Sequence, residues 1–364
     1  MRRFVMLALL LLMLPACAAA GELEETIGTL DLSSWQAAID ESGAELNAAE
    51  LIGRLARGEA EFTPEAVWAL LWEIVSGEAE GMRERWTALM GPALLWAVSR
   101  HLMNRGRLGA SAEYACYLAG ACVMLASFGT QMELAGNTVR RIGRLTEQAF
   151  PVIAALMSAA GHPGSAGAVQ PMAAFGGGVL TAFAGRILTT LCPAAAILAA
   201  AGNLSGRISL NGLFRLCISA GKWLLGAVMT VFLAMTSLSG LLASARDGAA
   251  LRAAKYAADN LLPVVGGDVA DAMGAMMESA RLVKSAAGVT GVIVMLSVCL
   301  RPVISIALYM IALRLAAAMT EPVAGGPLKE LMEQMSQAAQ LMLASVAVSA
   351  SLFITLTGVC LSTG

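Results

Sequence analysis

The chain has 364 residues, 58% of them apolar and only 14% charged, whereas a soluble globular protein carries about 25% charged residues. This composition excludes an ordinary soluble enzyme and favours a protein that lies mostly in a membrane. The formal net charge of −2 conceals an asymmetry. Residues 21–86 hold 15 acidic and four basic side chains, whereas residues 87–364 hold 11 acidic and 18 basic ones.

Residues 1–20 are predicted to be a signal peptide. Arg2 and Arg3 precede a short apolar run, and small residues follow it as far as Ala20. This order of charged, apolar and small residues is typical of export signals. The apolar run is too short to span a bilayer, which takes roughly 20 residues. We favour cleavage near Ala20; the alternatives are an uncleaved anchor and, through Cys17, a lipoprotein.

Residues 21–86 are predicted to form an acidic soluble head that consists of short helices and is exported across the membrane. The clearest helix start is Thr63-Pro64-Glu65. Threonine caps helices well, proline suits the first helical position, and glutamate interacts favourably with the helix dipole. The many carboxylates of this region predict a solvated acidic face rather than a catalytic pair.

Residues 87–364 are predicted to form an all-α polytopic membrane region, a helical bundle with broken or re-entrant helices. Several apolar segments are shorter than a bilayer requires, so the sequence indicates about six to eight spans. Irregular backbone at membrane depth needs shielding by protein or water, which favours a packed bundle. The apolar segments are residues 87–98, 115–130, 150–160, 172–185, 187–201, 223–243, 286–300, 303–319 and 338–361.

Small residues recur at four-residue spacing around residue 180. Such stripes allow helix backbones to approach closely, although a general enrichment in alanine and glycine explains them equally well. The two stripes are Ala173, Gly177, Thr181 and Gly185, and Ala174, Gly178 and Ala182.

A short motif occurs twice near the end of the chain and predicts an internal repeat. PVVGG at residues 263–267 recurs as PVAGG at residues 322–326, so that the repeat units cover about residues 263–321 and 322–361. In duplicated transporters, broken helices of this kind form the substrate pathway. Two crossings between the copies would give a direct repeat and three an inverted one; we expect two. The candidate helix-break or pathway positions are Pro263, Gly266, Gly267, Pro322, Gly325 and Gly326.

The helix that follows the second copy is amphipathic. Such a helix lies in the membrane interface, packs along a partner helix or belongs to the bundle core, and the pattern leaves all three open. Methionine suits irregular protein contacts. The apolar face comprises Leu328, Leu331, Met332, Met335 and Met342, and the polar face comprises Glu330, Glu333, Gln334 and Gln337.

Charged residues within apolar segments are further candidate pathway positions, because a charge in a bilayer is costly and is retained mainly for function. Arg314 lies towards the end of one such segment. It either serves a pathway, or its side chain reaches the membrane surface or pairs with Glu321. Arg186 separates two short segments and lies either in a loop or facing a pore.

The motifs of common catalytic sites are missing from the sequence. There are two histidines and seven cysteines, without C-x-x-C spacing, so a metal site has little material. The chain has no P-loop motif for nucleotides. Its basic residues are not interleaved with aromatic ones, which argues against binding of nucleic acid. We therefore expect no enzyme activity and no cofactor.

Several stretches resemble the stage III sporulation protein AE family. They are residues 252–266, residues 288–291, Arg301-Pro302, residues 314–319 and residues 322–327. The resemblance implies a multi-pass protein of the mother-cell membrane around the forespore. It also implies membership of a secretion-like channel complex that links the two compartments during endospore development. The implied partners are the other stage III sporulation A-operon proteins and a forespore membrane protein, besides the lipid bilayer. No catalytic residue is implied.

Two functions remain open at the level of the sequence. One is a membrane subunit of that sporulation channel, which acts by assembly. The alternative is a free-standing polytopic transporter, in which the two repeat motifs form a substrate site near the middle of the membrane. An intramembrane enzyme is a remote third reading, since the expected motifs are missing.

Overall fold

The structure is a computed structural model that describes residues 107–159, 162–204, 210–261, 266–324 and 326–362, together with isolated positions before residue 92. The predicted signal peptide, nearly all of the predicted acidic head and most of the apolar segment at residues 87–98 lie outside the described residues. Within the described residues the chain is helical and has no strand. The predicted all-α class is confirmed.

From residue 107 onwards, the described residues form six α-helices and one π-helical segment. They are α1 (Arg107–Ala159), α2 (Pro163–Ala173), the π segment (Ala174–Leu180), α3 (Thr181–Leu204), α4 (Asn211–Leu261), α5 (Gly266–Ala324) and α6 (Pro327–Ser362). The turns of the π segment are wider than those of the α-helices on either side. Such segments are frequent at functional sites.

Five stretches of these helices are long and apolar enough to cross a membrane. They are Tyr114–Ser158, Gly164–Leu204, Asn211–Ser237, Arg281–Glu321 and Pro327–Leu361. Each exceeds the roughly 20 residues that a bilayer requires. The predicted membrane bundle is therefore supported, and the described part of the chain forms it with fewer and longer helices than the sequence indicated.

The main correction concerns α5. We expected two apolar segments, at residues 286–300 and 303–319, on either side of Arg301-Pro302; the structure has one helix of 59 residues there. Proline removes one backbone hydrogen bond from a helix, but membrane helices tolerate this loss when neighbouring helices shield the site. Pro302 is buried in the bundle. The two crossings expected between the repeat motifs are thus a single continuous helix.

Helices α5 and α6 form an antiparallel hairpin at the centre of the bundle. Lys329 of α6 pairs with Glu321 of α5 next to the turn, and Gly288 packs against Leu361 at the far end. All five residues of the predicted apolar face of α6 are fully buried. Of the three readings of this helix, the bundle core is the one that the structure supports.

Helix α1 packs along the same hairpin. The rings of Phe150 and Phe353 meet edge to face, with centroids 5.5 Å apart, a geometry that aromatic pairs favour. Both side chains are almost entirely buried. This contact fixes α1 beside α6.

Candidate functional site

A close helix crossing joins α1 to the π segment and the start of α3. A Cβ atom placed on Gly143 would lie 3.3 Å from the carbonyl oxygen of Gly177, and one placed on Gly185 would lie 3.5 Å from Val139. Gly177, Thr181 and Gly185 belong to the first predicted stripe of small residues. The stripe is therefore a specific packing contact, as small residues in membrane helices commonly are.

The π segment also packs against α4. A Cβ on Gly176 would lie 2.7 Å from the ring of Phe232, which is buried. The backbone N–H of Thr181 donates to the carbonyls of Gly176 and Gly178, and the Thr181 hydroxyl donates to the same Gly176 carbonyl at 2.9 Å. Three successive glycines thus let the widened turn fit between two helices, where side chains would collide.

A groove of about 400 Å³ opens along this crossing. We call it the arginine groove, because Arg140 and Arg144 of α1 and Arg186 of α3 line it, with Glu147 as its single acidic residue. The three arginines are exposed. Its remaining lining residues are Gly136, Val139, Gly143, Gly177, Gly178, Thr181, Ala182, Gly185 and Thr189.

Arg186 lies within helix α3, so the loop, one of the two alternatives for this position, is wrong. The second stripe of small residues supplies part of the groove wall: Gly178 and Ala182 line it. The sequence reasoning missed Arg140 and Arg144 as members of the site. The available signal was their four-residue spacing, which places both on one face of a helix with Gly136 and Gly143.

Arg314 lies in a different place, on the α5–α6 hairpin. Its Nε donates to the hydroxyl of Ser336 at 3.1 Å, and this hydroxyl donates to the Met310 carbonyl at 3.4 Å. Glu321, the predicted partner of Arg314, pairs with Lys329 at 2.9 Å. Arg314 and Glu321 nevertheless line the same cavity of about 300 Å³, with Ala317, Ala318, Glu333 and Gln337.

The predicted helix-break positions do not come together. Gly266 and Gly267 begin α5, and Pro322 lies in its last turn, so that the two motifs are separated by about 84 Å along one helix. Gly326 lies in the turn to α6, and its carbonyl accepts the N–H of Glu330 at 3.2 Å. Pro263 and Gly325 lie outside the described residues.

A cluster of polar side chains joins three helices, and the sequence reasoning did not identify it. Asn203 of α3 donates to Gln334 of α6 at 3.0 Å. Gln334 donates to Asn211 of α4 at 2.9 Å, and Asn211 donates to Glu330 at 2.7 Å. The signal available was the pair of asparagines on either side of the α3–α4 connection. We call these four residues the amide cluster.

The described residues contain no group of three His, Cys, Asp or Glu side chains that could hold a metal ion. The described sites can therefore bind a ligand or a neighbouring helix only through hydrogen bonds and positive charge. The arginine groove suits an anion, whereas the amide cluster has its polar groups paired internally and suits a structural role.

Comparisons with known proteins agree on one family. Residues 46–364 match the sequence profile described as stage III sporulation protein AE. A stage III sporulation protein AE of Bacillus subtilis (strain 168) is 24% identical over 237 residues, which are 65% of this chain and 59% of that protein. The aligned part thus spans less than two thirds of the relative. No solved structure matches the chain.

Proposed function

The chain belongs to the stage III sporulation protein AE family, and from this membership we propose that it is a membrane subunit of a secretion-like channel complex. The complex links the mother cell to the forespore and is needed for endospore development. The match across residues 46–364 is the observation that carries the proposal, because it covers the whole helical region described above.

The surface of the bundle supports a role among lipids and partner subunits. Large apolar side chains point outwards on several helices, where a soluble protein would carry charges. Trp223 is 72% exposed and Leu216 is 64% exposed on α4, and Met319 is 60% exposed on α5. Contacts with lipid chains or with membrane helices of other subunits would cover this surface.

We propose the mother-cell membrane around the forespore as the location, with the acidic N-terminal head exported between the two membranes. The proposed partners are the other stage III sporulation A-operon proteins and a forespore membrane protein. In this arrangement the protein, which has no P-loop motif, acts by assembly, and nucleotide energy is supplied by a separate subunit.

The free-standing transporter is the weaker reading. It requires the two helix breaks to meet near the middle of the membrane, but Gly266 and Pro322 lie at opposite ends of α5. The specific feature that suggested a substrate site in the sequence is therefore absent from the described bundle.

Affinity purification from sporulating cells tests the proposal. A tagged copy of the chain, solubilised in mild detergent, is expected to recover the other A-operon proteins and the forespore partner. A tagged polytopic protein of the same membrane, unrelated to sporulation, serves as the control and should recover none of them. Cells that lack the gene should form engulfed forespores but few heat-resistant spores.

Two results would overturn the proposal. One is a normal yield of heat-resistant spores from cells without the gene. The other is solute transport by the purified chain alone in liposomes, combined with failure to recover any partner from sporulating cells; this outcome would favour the free-standing transporter.

A further inference from the structure

The arginine groove carries more positive charge than its packing role requires. Three guanidinium groups and one carboxylate give it a net charge of two positive units. Among the described residues Arg186 has no ion pair, and Arg140 donates one hydrogen bond to the neighbouring Asn137. Guanidinium groups bind phosphate oxygens through paired hydrogen bonds, which makes a phosphate the ligand of closest chemical fit.

The walls of the groove continue into apolar helix on both sides. Residues 114–132 of α1 and residues 187–204 of α3 contain no charged side chain. The stretch on α3 is about 27 Å long, close to the thickness of a hydrocarbon core of about 30 Å. Arg186 stands directly before the stretch on α3, and Arg140 lies eight residues beyond the stretch on α1. Both arginines thus lie beyond the apolar walls, where the headgroups of lipids would lie.

Exposed apolar side chains lie on these two stretches and could hold acyl chains. Ile197 of α3 is 61% exposed, and Leu118 of α1 is 49% exposed. A free phosphate ion would gain nothing from this surface, whereas a phospholipid would use both the arginines and the apolar edge.

We propose that the arginine groove binds the phosphate of an anionic phospholipid. Basic pockets between membrane helices commonly hold such headgroups. Thr181 and Thr189 donate their hydroxyl hydrogens to backbone carbonyls, so the arginines are the donors to the phosphate. The glycines of the crossing keep the groove open: a Cβ on Gly178 would lie 2.9 Å from the Glu147 carboxylate.

Native mass spectrometry of the full chain in mild detergent tests the proposal. With equal amounts of phosphatidylglycerol and phosphatidylcholine, the protein is expected to retain phosphatidylglycerol preferentially. Each of Arg140→Gln and Arg186→Gln should lower its retention about fivefold, as expected for one basic residue near an anionic headgroup. The double variant Arg215→Gln/Arg301→Gln removes two exposed arginines outside the groove and should leave retention unchanged.

Glu147→Gln should change lipid retention in the opposite direction to the arginine variants. It raises the net charge of the groove while keeping its shape, so phosphatidylglycerol retention should rise. This variant decides the question even if the arginine variants fail to fold, which their circular dichroism spectra would reveal.

Three results would overturn the proposal. The first is equal retention of the two lipids by the unaltered protein. The second is an equal loss of retention in the groove variants and in the Arg215→Gln/Arg301→Gln control, which would indicate a general charge effect. The third is displacement of the bound species by excess inorganic phosphate, which would identify a free anion instead of a lipid as the ligand.

Discussion

Gly177 packs directly against Thr146: a Cβ atom placed on Gly177 would lie 2.6 Å from the Cγ2 atom of Thr146. Non-bonded carbon atoms favour separations of about 3.5–4.0 Å, so only a glycine fits here. Thr146 is buried, and its hydroxyl donates to the Ile142 carbonyl at 2.7 Å. The contact sets the distance between α1 and the π segment, and with it the width of the arginine groove.

Gly177→Ala is expected to destabilise the protein by about 1–3 kcal/mol, the usual effect of overpacking. Thr146 cannot easily turn away, because its β-branched side chain has few rotamers in a helix. The two helices must therefore separate. Thermal unfolding of the detergent-solubilised protein measures the effect.

Gly129→Ala is the matched control for this prediction. Gly129 also lies in a helix, and nothing lies within 4 Å of a Cβ at this position. Alanine there should be neutral or should stabilise the helix by up to about 1 kcal/mol. Equal losses of stability in the two variants would show that the contact with Thr146 is not responsible.

The face that an individual helix buries was largely predictable from the local sequence. The buried face of α6 follows from the spacing of Leu328, Met332 and Met335, since a helix repeats every 3.6 residues. The stripe with Gly177 and Gly185 follows from four-residue spacing in the same way. These features depend on neighbours in the chain, and they need no knowledge of which helices pack together.

The sites between helices were not predictable in this way. Arg140 and Arg186 line one groove because α1 packs against α3. The spacing of residues within one helix gives no information about which helices pair. The continuity of α5 through Pro302 depends equally on context, because proline ends a helix in water but persists in one that its neighbours shield. The sequence indicated a break where the packed bundle preserves the helix.

Gln334→Ala tests the amide cluster. The substitution removes hydrogen bonds to Asn203 and Asn211 and leaves their polar groups without these partners. Gln334 is buried, so we expect a loss of about 1–3 kcal/mol. Thermal unfolding in detergent is again the measurement, and Gln337→Ala, on the exposed side of α6, is the control that should cost much less.

A double-mutant cycle with Asn211→Ala then isolates the contact between the two side chains. Polar contacts between membrane helices average about 0.6 kcal/mol in such cycles, so we expect a coupling energy of that order. Strict additivity of the two substitutions would contradict the hydrogen bond between Gln334 and Asn211.

Lys329→Met should have a small effect, although Lys329 contacts two carboxylates. Its Nζ lies 2.9 Å from Glu321 and 3.6 Å from Glu333, and both acidic side chains are more than half exposed. Ion pairs at exposed positions contribute little to stability, because water screens them. Unfolding at low and high salt should show a small loss that shrinks as salt increases. A larger, salt-independent loss would mean that the pair is shielded in the assembled protein.

The contact between α4 and α6 can be tested by enlarging the side chain of Gly221 and shortening that of Leu341. A Cβ on Gly221 would lie 2.6 Å from a methyl group of Leu341, which is fully buried. Gly221→Ala should therefore destabilise the protein by about 1–3 kcal/mol, and Leu341→Ala by about 2–5 kcal/mol through the cavity that it leaves. In the double variant the new methyl group enters part of that cavity.

The double variant Gly221→Ala/Leu341→Ala is expected to be more stable than the sum of the single losses predicts, because residues in contact are coupled. Gly226→Ala combined with Leu341→Ala is the control: nothing lies within 4 Å of a Cβ on Gly226, so this pair should be additive. Unfolding of the three single variants (Gly221→Ala, Gly226→Ala and Leu341→Ala) and the two double variants in one detergent gives both coupling energies. If the two pairs behave alike, Gly221 does not contact Leu341, and the placement of α4 against α6 must be revised.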